Sequence, residues 1–346
     1  MSIRQARLSA EVDVRHATTG DADGIVALFD RVYHGGYHMP ECADAALVRR
    51  TVASGDHVWV LALAAGAVVG SVMARHDPGN GSYELGRAAI DQEYRGRADV
   101  GAALDVLLRD TVRRPDCELL YGNVRSERAR RKFGGDPMGW AWTGADGGMH
   151  VLHGEREEHL FGMAFNPERP VTRIVPHRSV LLPGSAVSSA IERLRSVVRT
   201  GAYPVRICAP GASGHSHESG NGRVAFSVFE PSRAAIVTAV EADTPGDVRR
   251  LLWELVEGAA PSKVEHCTVH VLADKLPLIE ELCRPDHADS ARRFAVRGYL
   301  PGWYKDGASR YDCVTLTAHA GEQIPNRFGL DALIEGVYRS FPSRLR

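Results

Sequence analysis

The sequence predicts an α/β protein of two domains, each with a central β-sheet flanked by helices. Its length of 346 residues corresponds to about two domains at roughly 150 residues each. Hydrophobic residues make up 44% and charged residues 25%, which is the usage of folded globular chains and excludes a disordered or rod-like chain. Strand-like and helix-like segments alternate, and part of this order recurs in the second half.

The first half is predicted to run strand, two helices, three strands, helix, strand, helix and strand. Apolar residues at helical spacing, such as Ile25, Leu28 and Phe29, predict the helices, and apolar runs bounded by turns predict the strands. The expected strands cover residues 12–17, 58–63, 68–74, 83–90 and 119–124, with strand-like segments at 138–142 and 159–165. The expected helices cover residues 21–32, 43–53, 100–112 and 126–133.

The second half partly repeats this order and is interpreted as a degenerate internal repeat of one α/β unit. The expected strands cover residues 224–229, 234–242, 264–272, 293–299 and 311–317. The expected helices cover residues 185–198, 246–257 and 277–283, and a flexible loop is expected at 208–222. The predicted domains are therefore residues 1–168 and 169–320, followed by a helical tail at 321–346.

The charge balance argues against a nucleic-acid or membrane partner. The 42 basic and 43 acidic residues give a net charge of -1, so any anion site must be local. The six cysteines lack CxxC spacing and fit buried thiols in a reducing compartment. The first ten residues lack an apolar signal core, and glycines interrupt the apolar segment 58–74. We therefore expect a cytoplasmic protein, while the oligomeric state stays open.

One turn of the first half combines features of an anion site. The strand at 83–90 runs into the sequence YRGRADVG at 94–101, and a helix follows. Such a turn directs backbone N–H groups and the positive end of a helix at one point. Arg95 and Arg97 add side-chain charge there. Alone, these features also fit an ordinary strand-to-helix turn with solvated arginines.

The strand YELGRAAI at 83–90, the turn EYRGR at 93–97 and the helix start GAAL at 101–104 together resemble the GNAT N-acyltransferase superfamily. The resemblance covers about residues 12–165, and residues 234–317 resemble only the later half of a second copy. It implies a tandem GNAT protein with a mixed sheet in each domain, whose first copy binds the donor and is catalytic. In that family the strand and turn hold the pyrophosphate and pantetheine of acyl-CoA.

The resemblance implies a role for individual residues of this strand and turn. Phosphate contacts are implied for Arg95, Gly96, Arg97, Gly101 and Ala102, and pairing of the backbone with the pantetheine arm for Ile90, Asp91 and Gln92. Glu84 is the implied general base, because an attacking ammonium must lose a proton before it attacks a thioester. An alternative for Glu84 is an exposed strand residue in an ion pair with Arg87.

The turn departs from the family pattern, because residues 98–100 add one residue, remove one glycine and insert Asp99. Asp99 would repel a pyrophosphate unless it points away or caps the helix. A phosphopantetheine arm on an acyl carrier protein, with its single phosphodiester, would be repelled less, so both donors stay open.

A second departure is the absence of the family's tyrosine general acid from residues 128–133. Asn123 and Ser126 are the remaining hydrogen-bonding candidates, although Ser126 also fits an N-cap before Glu127. Contacts with the acceptor are predicted for His34, Tyr37 and His38, which equally fit a surface loop.

The second half carries less evidence of a site. Residues 244–247 (TPGD) stand where the first half has its Arg/Gly turn, so a cationic cradle is absent there. His215, His217 and Glu218 could bind a metal ion, but the Gly and Ser residues around them favour a loop, and no metal site is predicted. The aromatic segment 298–304 fits a binding rim or a bend between two core strands.

The sequence thus predicts an N-acyltransferase that moves an acyl group from acyl-CoA or an acyl carrier protein to an amine of a small molecule. Direct attack would need no covalent acyl-enzyme, with backbone N–H groups near Ile90 polarising the thioester carbonyl. A role in natural-product biosynthesis is an expectation from the Arg-rich composition alone. Two alternatives stay open: a catalytically inactive tandem GNAT acting as a binding or scaffold protein, and an aminoacyl-tRNA-dependent acyltransferase.

Overall fold

The computed structural model describes residues 11–37, 39–124, 140–146, 148–152, 155–174, 213–229, 232–258, 263–285 and 293–321. The chain divides into two compact units, which we call unit 1 and unit 2. Unit 1 comprises Met1–Asn123 with Ala164–Pro170, and unit 2 comprises Val124–Met163 with Val171–Arg346. The domain ranges 1–168, 169–320 and 321–346 stay a prediction.

Unit 1 has a mixed sheet, and three helices connect strands of this sheet along the chain. Its strands are β1 (Val12–His16), β2 (Val58–Ala64), β3 (Ala67–Asp77), β4 (Ser82–Ile90) and β5 (Leu119–Val124). Its helices are α1 (Ala22–Tyr33), α2 (Ala45–Ser54) and α3 (Ala98–Val112). The strands lie in sequence order, antiparallel from β1 to β4, and β5 pairs parallel with β4. The order of elements and the mixed sheet agree with the prediction.

The core of unit 1 follows the helical spacing read from the sequence. Ile25, Leu28 and Phe29 of α1 are buried in one cluster with Trp59 and Met73 of the sheet. A smaller cluster joins Val100 of α3 to residues of β2 and β3. Burying each large apolar side chain stabilises the fold by about 1.5–3 kcal/mol. Helices α1 and α3 therefore pack against the sheet to which β4 belongs.

Unit 2 has a larger sheet. Its strands are β6 (Ala141–Ala145), β7 (His150–Leu152), β8 (Glu155–Glu157), β9 (Leu160–Phe165, of which 160–163 belong to this unit), β10 (Thr172–Ile174), β11 (Ser213–Ser219), β12 (Gly222–Phe229), β13 (Ala234–Glu241), β14 (His266–Leu272), β15 (Ala295–Asp306) and β16 (Ser309–His319). Its helices are α4 (Pro245–Val256) and α5 (Leu276–Cys283). The strand order is β9-β6-β15-β16-β14-β13-β12-β11, with β10 on β16 and β7 paired with β8 as a separate hairpin.

The predicted repeat is visible as one shared motif. In unit 2, β13 leads through α4 to β14, which pairs parallel with β13, just as β4 leads through α3 to β5. Leu251, Leu252 and Leu255 of α4 are buried in the core of this sheet. Both motifs also contain an irregular antiparallel neighbour, since the register shifts between β12 and β13 and between β3 and β4.

The flexible loop expected at 208–222 is wrong for residues 213–219. They form β11, which pairs with β12 over its full length, from Ser213 opposite Val228 to Ser219 opposite Gly222. Polar residues such as His and Ser predict a loop by composition, but the hydrogen-bonded ladder of the neighbouring strand overrides local preference.

Other segments of the prediction meet the structure only in part. The aromatic segment 298–304 lies within β15, where the register against β16 shifts between Leu300 and Tyr304. The expected helices at 126–133 and 185–198, and residues 322–346 of the tail, lie outside the described residues. None of the helices that the structure describes is long and apolar enough to cross a membrane.

Strands β6 and β15 approach closely at a pair of glycines. Gly144 pairs with Gly298, and a Cβ atom on Gly144 would lie 2.5 Å from the carbonyl oxygen of Arg297. Because backbone cannot move aside as a side chain can, we predict that Gly144→Ala lowers the free energy of unfolding by about 1–3 kcal/mol. Urea denaturation measures this loss, with Gly214→Ala as the matched control, since a Cβ there meets nothing within 4 Å. Equal stability of the two variants would contradict the prediction.

Candidate functional site

Glu84 lies at the centre of a row of three residues across the sheet of unit 1. In the strand registers it stands opposite Arg75 of β3 and opposite Tyr121 of β5. Directly opposite residues place their side chains on the same face of a sheet. The Arg75 guanidinium donates to Glu84 Oε2 through Nε at 2.9 Å and through a terminal nitrogen at 2.5 Å.

A second arginine reaches Glu84 because β4 bulges. Met73 pairs with Gly86 and Ser71 with Ala89, so Arg87 and its neighbour oppose a single residue of β3. Arg87 has a φ of 48°, which is unusual for a residue other than glycine. Its guanidinium donates to Glu84 at 3.0 Å and to Glu41 at 2.8 and 2.9 Å.

These contacts set the proton affinity of Glu84. Burial acts to raise the pKa of this carboxyl, but the positive charges of Arg87 and Arg75 outweigh burial and lower the pKa to about 2. A carboxylate held so firmly in its charged form is a weak proton acceptor at neutral pH. The general-base role of Glu84 stays a prediction, and its surroundings count against it. The alternative ion pair with Arg87 is present, although Glu84 is largely buried rather than exposed.

Strands β4 and β5 stop pairing halfway along β4. Their register runs from Ser82 and Leu119 to Leu85 and Gly122, and the described residues show no pair beyond it. The strands approach closely at that last pair, where a Cβ atom on Gly122 would lie 2.7 Å from the carbonyl oxygen of Leu85. Residues 86–90 of β4 therefore pair with β3 on one side only.

Asn123, one of the predicted site residues, follows this last pair directly. Its Oδ1 atom is buried and has no hydrogen-bond partner among the described residues. A buried acceptor without a partner is costly, so such an atom suits a ligand that brings an N–H donor. Ser126, the other predicted hydrogen-bonding residue, lies outside the described residues.

The predicted turn between β4 and α3 is present. Gly96 has a φ of 89°, which favours glycine, and the side chain of Arg95 is exposed. Part of the backbone predicted to pair with pantetheine is already used within the protein. The N–H of Asp91 donates to Val69 at 2.9 Å, and the carbonyls of Ile90 and Gln92 accept from the Arg95 side chain and N–H at 3.5 and 3.4 Å.

Asp99 pairs with the arginine that precedes it. The carboxylate accepts two hydrogen bonds from Arg97, one of them at 3.0 Å from Nε, and one from the N–H of Val100 at 3.0 Å. The hydrogen bond with Arg97 is the main reason that the pKa of Asp99 is lowered. From the sequence, Asp99 is expected either to point away from the phosphate or to cap the helix. The contact with the N–H of Val100 is a capping contact in the first turn of α3. The structure also shows that Asp99 offsets the charge of Arg97.

The start of α3 leaves space beside it. A Cβ atom on Gly101 would meet no atom within 4 Å, and Gly101 and Ala102 are both half-buried. These two residues lie in the first turns of α3, next to Arg97 and Gly96. Arg95, Gly96 and Arg97 therefore lie in the turn, and Gly101 and Ala102 follow within α3. The N–H groups of Arg97 and Gly101 donate to the carbonyls of Tyr94 and Arg97, each at 3.3 Å. The phosphate contacts of these five residues stay a prediction.

The residues predicted to contact the acceptor do not lie together in the structure. Tyr37 packs against Tyr33 and Phe29 with ring centroids 4.6 and 4.7 Å apart. Burial raises the pKa of the Tyr37 hydroxyl, and the nearby positive charge of Arg87 offsets part of this rise. His34 instead ends α1 in the left-handed region, with an exposed side chain. Tyr37 is therefore near the Glu84 network, whereas His34 lies at an exposed helix end and His38 lies outside the described residues.

Sequence reasoning missed three members of the network, namely Arg75, Glu41 and Tyr121. Arg75 could have been found by pairing the predicted strands about the turn at 78–81, which sets it opposite Glu84. Tyr121 belongs to the same row, but its pairing with β4 depends on a crossover through α3. Glu41 joins through a loop contact that no local pattern indicates.

In unit 2, the 244–247 turn and the two histidines of β11 make contacts within the unit. The Thr244 side chain accepts from the N–H of Asp247 at 3.2 Å and donates to its carboxylate at 2.6 Å, so this turn caps α4. His217 Nε2 lies 2.8 Å from Glu254, and the His215 ring stacks on Phe226. These histidines therefore pack within β11 and its neighbours.

The Glu84 network makes a prediction about stability. Glu84→Gln leaves two buried arginines short of one carboxylate, so we expect a loss of about 3 kcal/mol at pH 7. Because the pKa of Glu84 is lowered from 4.5 to about 2, its contribution is complete above the unfolded pKa and is lost as pH falls through the folded pKa. Urea unfolding of wild type and variant should therefore converge between pH 5 and about pH 2. Asp105→Asn, at an exposed position of α3, is the control, and a gap that does not depend on pH would refute the assignment.

No family model matches this chain, and no curated protein matches it. Its similarities are to solved structures. A ribosomal-protein-alanine N-acetyltransferase from Brucella melitensis is 17% identical with a TM-score of 0.38, over 44% of this chain and 99% of the other. An N-acetyltransferase from Staphylococcus aureus is 14% identical with a TM-score of 0.39, over 45% and 99%. A GNAT-like decarboxylase in complex with isobutyryl-CoA is 19% identical with a TM-score of 0.35, over 44% and 99%.

The order of elements in unit 1 can be compared directly with the order that the resemblance implies. A strand, two helices, three strands, a helix and a parallel strand form one mixed sheet. The Arg/Gly turn joins β4 to α3, as the resemblance implies. The order of elements and the mixed sheet of unit 1 are those that the resemblance to the GNAT N-acyltransferase superfamily implies.

Proposed function

We propose that unit 1 binds a pantetheine thioester and transfers its acyl group to an amine. The observation that carries this proposal is the one-sided edge of β4 at residues 86–90, which leads directly into the Arg/Gly turn and the start of α3. A strand edge offers backbone groups to the amides of an extended pantetheine arm. The turn and helix start offer N–H groups to phosphate at the end of that arm.

The reaction is a direct attack of the amine nitrogen on the thioester carbonyl. A C–N bond forms and the C–S bond breaks. The amine nitrogen releases one proton, and the leaving thiolate takes up one proton. Backbone N–H groups near Ile90 would polarise the carbonyl. The buried Oδ1 of Asn123, unpartnered among the described residues, suits the N–H of the amine or of the pantetheine arm. Asn123 then positions a reactant and is not a proton donor.

The ion pairs of Glu84 affect how the amine loses its proton. With a pKa of about 2, Glu84 gains little from taking a proton at neutral pH. The proposed reaction therefore favours an acceptor that reaches the site as a neutral amine. A weakly basic small-molecule amine, which is uncharged at neutral pH, fits this requirement, and a place in natural-product biosynthesis remains part of the proposal.

A carrier-protein thioester is the second candidate donor because the turn has no net charge. Asp91 pairs with Arg31, Asp99 pairs with Arg97, and Glu93 and Arg95 complete three acids and three bases. The pyrophosphate of CoA carries more charge than the single phosphodiester of a carrier-bound arm. A turn of zero net charge discriminates less against the second donor.

Donor binding tests the proposal. We expect Arg95→Ala to weaken CoA binding about tenfold, since a charge-assisted contact to phosphate contributes roughly 1.4 kcal/mol. Gly101→Leu should abolish it by filling the open space beside the helix start. Arg113→Ala, an exposed arginine at the other end of α3, is the matched control. Isothermal titration calorimetry with CoA, acetyl-CoA and a loaded acyl carrier protein gives the affinities.

The outcomes separate the candidates. Binding of CoA that depends on Arg95 and Gly101 supports an acyl-CoA enzyme, and binding of the carrier protein alone supports the second donor. If the folded protein binds neither donor, the proposal fails and the scaffold alternative is favoured.

The Asp99 contact gives a second prediction. Asp99→Asn removes a negative charge beside the proposed phosphate position and frees Arg97, so CoA should bind about threefold more tightly at low salt. The gain should shrink as ionic strength rises, because both side chains are partly exposed to solvent. Titrations at two salt concentrations measure this, with Asp105→Asn as the control. Unchanged or weaker binding by Asp99→Asn at low salt would refute the prediction, since asparagine keeps an acceptor for the N–H of Val100.

A further inference from the structure

Unit 2 gathers three side chains at one end of its β6–β9 pair. Asp146 follows β6 and His159 precedes β9, and their backbones continue the ladder, with the Asp146 N–H donating to the His159 carbonyl at 2.9 Å. His150 begins the β7–β8 hairpin. The three side chains are 7%, 9% and 12% exposed for Asp146, His159 and His150 respectively.

The carboxylate of Asp146 is held so that one oxygen remains without a hydrogen bond. Its Oδ1 accepts from the N–H groups of Gly148 at 3.0 Å and His159 at 2.9 Å. Its Oδ2 is buried and has no hydrogen-bond partner among the described residues. That oxygen lies 3.5 Å from His150 Nε2 and 3.7 Å from His159 Nδ1.

These separations are longer than the roughly 2.7–3.2 Å of most N–H···O hydrogen bonds. They are close to the spacing between ligands of one tetrahedral ion. Zn²⁺ lies roughly 2.0–2.1 Å from imidazole nitrogen and carboxylate oxygen, which sets neighbouring ligands about 3.3 Å apart. All three ligand atoms lie within 4.8 Å of one another. The two imidazole rings stack with centroids 4.4 Å apart, which places both rings beside the Asp146 carboxylate.

A fourth residue orients one of these histidines. Glu157 Oε2 lies 3.3 Å from His159 Nε2, on the opposite side of the ring from Nδ1. A histidine that binds metal commonly donates its other N–H to a carboxylate, which fixes the tautomer and the ring orientation. A proton on His159 Nε2, shared with Glu157, is the tautomer that metal binding through Nδ1 requires.

We infer that Asp146, His150 and His159 bind a divalent transition-metal ion, with Zn²⁺ preferred, and that Glu157 orients His159. Two imidazoles and one carboxylate suit Zn²⁺ better than the all-oxygen sites that Mg²⁺ and Ca²⁺ require. Three protein ligands leave the fourth position to a water molecule. The ion would tie the β7–β8 hairpin to the end of the β6–β9 pair. All four residues belong to unit 2, so the inference does not depend on the donor site of unit 1.

Metal titration of the full chain tests the inference. The protein is produced without a polyhistidine tag, stripped with EDTA, dialysed and titrated with ZnCl₂ by calorimetry. We expect one ion per chain for wild type and at least a tenfold loss of affinity for Asp146→Asn and for His150→Ala. His217→Ala, which removes a histidine that pairs with Glu254 instead, is the matched control and should bind as wild type does.

Two further readouts guard against a variant that misfolds. Co²⁺ should produce the strong visible absorption of a tetrahedral site in wild type and in His217→Ala. Zn²⁺ should raise the midpoint of thermal unfolding of these two proteins, and it should do so much less for Glu157→Gln, which keeps all three ligands but loses the carboxylate behind His159. Stripped wild type that takes up no ion, or binding that is equal in Asp146→Asn and wild type, would overturn the inference.

Discussion

The parallel pairing of β4 with β5 ends at Leu85 and Gly122, and the candidate site of unit 1 depends on that ending. Glycine at 122 permits this close approach, since a Cβ there would meet the Leu85 carbonyl. Beyond this point β4 continues for five residues with a neighbour on one side only. An edge of this kind, inside a sheet and next to a helix start, is where an extended ligand can add its own hydrogen bonds.

A buried ion network shapes the strand on which this edge lies. Arg87 adopts a positive φ at the bulge, and two carboxylates, those of Glu84 and Glu41, hold its guanidinium. Buried ion pairs add little net stability compared with apolar packing, yet breaking one of them is costly. The network therefore fixes the geometry of the bulge. It also uses Glu84 for structure, which explains why a carboxylate beside the proposed acyl site need not act as a base.

The two units share a strand–helix–strand motif but surround it differently. In unit 1 the turn before the helix contains Gly96 and an exposed arginine, whereas in unit 2 Thr244 and Asp247 cap the helix themselves. The N-cap residue of the helix therefore caps it with its side chain in unit 2, whereas Arg97 at the same place in unit 1 does not. Unit 2 instead carries the Asp146 cluster, at strand ends that have no part in the shared motif.

The sequence by itself determined the local elements and the turn between β4 and α3. Apolar spacing decides which residues of a helix or strand are buried, and the run of arginine and glycine is visible in consecutive residues. Tertiary structure decided what these residues do. Arg75, Tyr121 and Glu41 reach the row around Glu84 through strand register and loop packing, and such contacts between distant residues leave no local pattern. For the same reason, the sequence did not predict β11, which pairs with β12. Asp146, His150 and His159 come together only when β9 pairs with β6 and the β7–β8 hairpin folds beside them.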